Sequence, residues 1–251
     1  MLEVILILGV AVVLIYLYYT LQEYLKNPLK DPPEFNKPKE ALEVYVLPNP
    51  LETLKASEAG VLASLMGSFT KHLEPTALSQ ALLEVFLQDL SQIENKDLES
   101  LQEIYHSPPP PLDQICTQLL ECGHGEYKKR LKWVEFLFVL AYSDGNLGTQ
   151  EKEALLDVGA FLNLENVDFN NLYDGFANLK LEPLNLEPTQ VSTILRAEKV
   201  DFKGFKALVQ ECYINVLEPK NWNKSYLPDT MKTLWQLEQA YNTLNSKVQS
   251  D

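Results

Sequence analysis

The chain has 251 residues with 35 acidic and 21 basic side chains, a formal net charge of -14, and 46% hydrophobic residues. That length supports a substantial core and that composition argues against wholesale disorder, while a pI near 4.7 excludes a protein that wraps nucleic acid, which needs a clustered Lys/Arg surface. Cys116, Cys122 and Cys212 cannot all pair within one chain, a count that fits a reducing compartment better than a disulfide scaffold.

The charge is uneven along the chain. Residues 1–50 hold 4 basic and 6 acidic groups, residues 51–189 hold 9 and 22, and residues 190–251 hold 8 and 7. An acidic body with a neutral tail points to two modules. Val4 to Tyr19 is free of charge, and with Leu2 and Leu21 as limits it reaches the length of about 20 residues that crosses a bilayer. Val4, Leu8, Val12, Ile15 and Tyr19 mark this anchor, taken as residues 1–25, with Tyr16, Tyr18, Tyr19 and Tyr24 at its interfacial end. A cleaved signal peptide fits less well, since no basic stretch precedes the run and no small-x-small site follows it. Only Glu3 precedes the span, whereas Lys26, Lys30, Lys37 and Lys39 follow it, which predicts the N-terminus outside and the bulk in the cytoplasm.

Residues 26–50 carry Pro28, Pro32, Pro33, Pro38, Pro48 and Pro50 and read as a semi-rigid spacer. From Leu51 the apolar residues recur at helical spacing and β-branched alternation is missing, so the fold class is all-α. Val61, Leu62, Leu65, Met66 and Phe69 form one face, and Leu78, Ala81, Leu82, Val85, Phe86 and Leu90 another. Leu98 to Ile104 gives a short helix stopped by Pro108–Pro111; Leu112 to Leu120 restarts. Val134 to Ala141 is strongly apolar and breaks at Asp144-Gly145; helices over Ala154–Leu162 and Phe169–Phe176 follow.

The stretch from Ala141 through Asp144-Gly145, Leu147, Thr149 and Glu151, lying between two apolar helices, resembles the signature of TerB-like domains, as do Phe161-Leu162-Asn163-Leu164 and Phe169-Asn170. The resemblance covers roughly residues 55–180 and assigns a TerB-like bundle to 51–185. It implies an acidic helical bundle with two related Asp-Gly turns and a suggested metal role for their carboxylates. The first turn would fall at Lys71-His72-Leu73-Glu74, where Asp-Gly is absent.

On their own chemistry, Asp144 and Glu151 offer hard oxygens to a divalent cation. The same residues are also explained by a positive φ at Gly145, an N-cap at Thr149 and a Glu151 carboxylate at the helix dipole. The structural reading is preferred, because a hard-cation site takes about six oxygens. Cys116, Cys122 and His124 lack the spacing of a zinc knuckle. The basic run Lys128, Lys129, Arg130 and Lys132 reads as a solvated helix start, with contact to lipid headgroups as the alternative. There is no phosphate-cradling glycine loop and no nucleophile elbow. No enzyme and no resident cofactor are expected.

After Pro183 and Pro188 come helices expected over Val191–Leu195, Phe202–Val216 and Met231–Lys247. Leu237, Ala240, Tyr241 and Leu244 resemble the third helix of J domains, and Asn221 to Met231 resembles the long loop of the DjlA-type membrane-anchored co-chaperones. The order of span, TerB-like bundle and J-like tail (186–251) is similar to DjlA. This implies a bacterial inner-membrane protein whose partners are other proteins. The His-Pro-Asp tripeptide with which J domains stimulate DnaK is replaced by Leu217, Glu218 and Pro219; among the basic docking positions Lys206 remains, beside Gln210 and Glu211. The expected function is therefore a membrane-anchored adaptor that does not engage DnaK, with a working co-chaperone or a metal-responsive stress protein as alternatives.

Overall fold

The computed structural model describes residues 13–22, 49–123 and 126–248, and every regular element among them is helical. The chain divides into two compact units, Met1–Leu47 and Pro48–Asp251. In the first, residues 13–22 form helix α1, with Ile15 and Tyr19 exposed. Among the described residues no helix is long and apolar enough to cross a membrane. Val4, Leu8 and Val12 of the expected anchor, and the spacer up to residue 48, lie outside the described residues.

The second unit contains α2 (Pro50–Lys55), α3 (Glu58–Phe69), α4 (Ala77–Ile93), α5 (Leu98–His106), α6 (Leu112–Cys122), α7 (Tyr127–Ala141), α8 (Thr149–Phe161), α9 (Asn166–Ala177), α10 (Pro188–Ile194), α11 (Phe202–Cys212) and α12 (Asp229–Val248). Polar side chains set several starts. Ser57, Thr76, Asp97 and Asp201 each accept a backbone N–H from the first turn that follows, satisfying groups a helix leaves open. Two helices are buried nearly all round, as their lack of a polar face requires. One is α3. The other is the run Trp133–Ala141 of α7, where the aromatic rings of Phe136 and Phe86 stack at 5.2 Å and those of Phe138 and Phe176 at 5.3 Å. Helix α3 lies against α5 and α6, and a β-carbon on Gly67 would stand 2.2 Å from the Tyr105 carbonyl oxygen, so that crossing needs glycine.

The tail shares this core. Helix α11 packs on α4, α10 and α11 pack on α12, and α12 reaches both α4 and the Tyr142–Asp144 turn. Phe205, Val209, Met231, Leu234, Leu237, Ala240 and Tyr241 are buried in the cluster that holds Leu78 and Phe86. Residues 51–185 and 186–251 thus belong to one compact unit. Helix α11 ends at Cys212, four residues before the expected Val216. The backbone of Ile214 instead donates to the Tyr226 hydroxyl at 2.9 Å and accepts from it at 2.8 Å.

Candidate functional site

The Asp-Gly turn is built where α7 runs out of apolar residues. A 3-10 turn, Tyr142–Asp144, leads to Gly145 at φ +88°, the left-handed conformation that favours glycine. Asp144 closes the turn by accepting the Asn146 N–H through Oδ1 at 2.9 Å. Glu151, buried in the first turn of α8, accepts the Gly148 N–H through Oε2 at 2.5 Å. The residue preceding α8 is therefore Gly148; Thr149, expected as the cap, is the first helical residue. The turn is tied to the start of α4 by the Thr76 hydroxyl, which donates to buried Ser143 at 3.1 Å.

A third carboxylate, Glu74, comes close enough to act on both others. Burial, then repulsion from Glu74, raises the proton affinity of Asp144 against the lowering hydrogen bond from Asn146. Burial raises that of Glu151, against the Gly148 hydrogen bond, with Asp144 and Glu74 adding to the rise. Glu74 sits where the sequence places the degenerate first turn. One oxygen each of Asp144 and Glu151 accepts a backbone N–H, and among the described residues no group of three or more His, Cys, Asp or Glu is placed to hold a metal ion.

The tail covers this turn. Trp235 of α12 lies so close that a β-carbon on Gly145 would meet its ring at 2.4 Å, and its indole N–H donates to the Glu182 carbonyl at 3.0 Å. One turn on, buried Glu238 accepts the Leu78 N–H at the start of α4 at 2.8 Å and the Asn242 amide at 3.0 Å. Desolvation raises the proton affinity of Glu238, opposed by these hydrogen bonds.

The loop between α11 and α12 carries Leu217, Glu218 and Pro219, the three positions compared above with the J-domain tripeptide. Leu217 is buried and its N–H bonds the Asn215 side chain at 3.0 Å. Glu218 pairs with exposed Lys220, and Pro219 opens a 3-10 turn ending at buried Asn221, whose amide donates to the Asn215 carbonyl at 3.0 Å. The Trp222 indole donates to the Val216 carbonyl at 3.2 Å. Lys206 of α11 is held by Glu84 of α4 at 2.9 Å. Ala240 is fully buried and the Tyr241 ring stacks on Phe205 at 4.3 Å.

The basic run is a solvated helix start only in part. Lys132 is buried, paired with Glu135 one turn on, and also donates to the Lys224 carbonyl. Glu135 in turn accepts the Ser225 hydroxyl at 2.8 Å and the Tyr226 N–H at 2.9 Å. Lys129 pairs with Glu58, Arg130 donates to the Leu162 carbonyl at 2.6 Å, and Lys128 reaches Asn223 at 3.3 Å. Lys132 is thus inside the fold, at the start of the stretch of α7 that is buried on every side, whereas Lys129 and Arg130 are half-buried and Lys128 stays exposed. Cys116 is buried, its thiol pushed up to about 12 by desolvation, and Cys122 donates to the Ala56 carbonyl; His124 lies outside the described residues.

Residues 76–174 match the family model described as tellurite resistance protein TerB. The chain thus carries a TerB domain that runs from the start of α4 into α9 and includes the Asp-Gly turn; α2, α3 and α10–α12 lie outside the match. Neither the curated proteins nor the solved structures give a match to the chain.

Proposed function

We propose that the chain is a non-enzymatic adaptor, anchored in the bacterial inner membrane by its N-terminal apolar segment. In this reading it is an accessory subunit of a larger assembly, DjlA-like in the order of its parts but unable to engage DnaK. The observation that carries this is the position of α11. A J-like docking helix would need its basic face free. Here the face that α11 turns to solvent carries Gln210 and Glu211 in place of basic residues, and the remaining Lys206 is held by Glu84. The loop supports the same reading, since buried Leu217 offers no imidazole and Pro219 no carboxylate to a chaperone's polar groups. Leaving each such group unpaired costs about 1–3 kcal/mol, enough to abolish a transient contact.

Single-turnover ATP hydrolysis by DnaK, measured with the full chain, tests the proposal. No stimulation is expected, and stimulation by the native chain would return the protein to the co-chaperones. A triple variant, Leu217→His, Glu218→Pro and Pro219→Asp, separates the two obstacles: stimulation there would place the whole loss in the loop and none in α11. A periplasm-active reporter fused after Asp251 should be silent; activity would refute the anchoring and orientation.

A further inference from the structure

Within residues 49–248 the large apolar side chains exposed among the described residues are Ile93, Leu156, Phe161 and Val167. All but Ile93 fall on the corner between α8 and α9, at 46%, 41% and 66% exposure respectively. On the outer face of α8, Leu156 and exposed Ala160 are one turn apart and Phe161 closes the helix; Val167 stands in the first turn of α9. The inner face of α8, with Ala154, Leu155, Val158 and Gly159, already supplies the core. The outward strip is a second apolar face on a helix that needs only one for folding, and concentrated exposure of this kind marks interaction surfaces.

Its rim sets the charge of what covers it. Glu153, Asp157 and Glu165 are exposed beside the strip and take part in no ion pair among the described residues. The nearby cations are otherwise occupied, Lys152 over the Tyr173 ring at 4.9 Å and Arg130 on the Leu162 carbonyl. An anionic bilayer would be repelled by this rim, and so would the same rim on a second copy. We propose that the α8–α9 corner is the docking site for a cationic amphipathic segment of a partner protein, its apolar side chains on Leu156, Phe161 and Val167 and its Lys/Arg on Glu153, Asp157 and Glu165. This rests on the adaptor reading and locates its interface.

Two measurements on the full chain test it. In the first, a photo-crosslinking amino acid is placed in cells at Leu156 or, on α5, at exposed Glu99. Crosslinking from Leu156 but not Glu99 to a segment that mass spectrometry maps as Lys/Arg-rich and apolar is expected. In the second, a fluorescent leucine–lysine helical peptide is titrated against the chain in phosphatidylcholine nanodiscs, with empty discs subtracted. Leu156→Ser with Phe161→Ser should weaken binding about tenfold or more, the loss of two apolar anchors, and Glu153→Lys with Asp157→Lys should weaken it and flatten its salt dependence. Peptide affinity unchanged by both pairs overturns the proposal, as does a mapped segment that is acidic or belongs to this chain. Crosslinking from Glu99 alone would sink the corner and leave the adaptor reading standing. DnaK stimulation would sink that reading without altering peptide affinity.

Discussion

Replacing Glu135 by alanine should loosen the α11–α12 loop from the body at a large cost in stability. The carboxylate serves three partners at once: the Lys132 ammonium, the Ser225 hydroxyl and the Tyr226 N–H. Removing it leaves Lys132, only 3% exposed, with the Lys224 carbonyl as its remaining partner. Breaking a buried pair from one side costs about 3–5 kcal/mol, because the surviving charge keeps its desolvation penalty. The stranded Tyr226 N–H adds about 1–3 kcal/mol, while Ser225 is exposed and can turn to water. The sum is a sizeable part of a typical domain stability of about 5–15 kcal/mol. Urea unfolding of the full chain, followed by circular dichroism and by tryptophan fluorescence, reads it; Trp222 and Trp235 report on the tail. Glu135→Gln retains an acceptor for Tyr226 and isolates the charge. Combined with Lys132→Met it should lose at least 1 kcal/mol less than the two single changes added together, since neither charge is then stranded. Additive losses, or a Glu135→Ala cost below about 1 kcal/mol, would refute the assignment of this pair as the clamp.

Gly145→Ala should cost about 2–4 kcal/mol in the same assay, from a left-handed backbone and the Trp235 ring together; in a Trp235→Leu background only the backbone share of about 1–2 kcal/mol should persist. Glu238→Gln should flatten the pH dependence of stability. Its proton affinity is raised by burial in the folded state, so the folded protein binds the proton more tightly and stability falls as pH rises from the unfolded value of 4.5 through the higher folded one; a native chain whose stability climbs across that window would contradict the assignment. Asp144→Ala should shift the melting temperature equally with and without calcium or magnesium, and an ion-dependent difference would revive the metal reading of Asp144 and Glu151.

Helical periodicity made most of the fold legible. The apolar faces of α3, α4, α5 and α7 emerge where the spacing puts them, and Asp144-Gly145 predicts the turn because a positive φ leaves few alternatives to glycine. What stayed illegible is the long-range polar pairing. Nothing local joins Leu78 to Glu238 or Glu135 to Tyr226, since a backbone N–H gives no sequence signal and its acceptor stands more than ninety residues away. Lys132 was readable in principle. A lysine and a glutamate one turn apart, within a helix apolar on every side, must either be buried together or interrupt the core. The neighbouring Lys128, Lys129 and Arg130 disguised it as part of a solvated run.

The polar pairings also explain why the tail belongs to the body. Apolar contact alone would let α12 slide along α4, because leucine and alanine accept many registers. Glu238 on the first N–H groups of α4, Trp235 against a glycine that must lack a β-carbon, and Glu135 on the Tyr226 N–H each permit one register only. Each is also costly to leave half-made, since a buried carboxylate or N–H without its partner carries its full desolvation penalty. Register and docking are thereby made cooperative: an α12 shifted by one turn would strand Glu238 and lift Trp235 off the Asp-Gly turn together. The same contacts commit the tail's inner surface, α11 included, to the TerB domain. The proposed partner would then be met on faces the core leaves outward, and within residues 49–248 it is at the α8–α9 corner that the exposed large apolar side chains of the described residues gather.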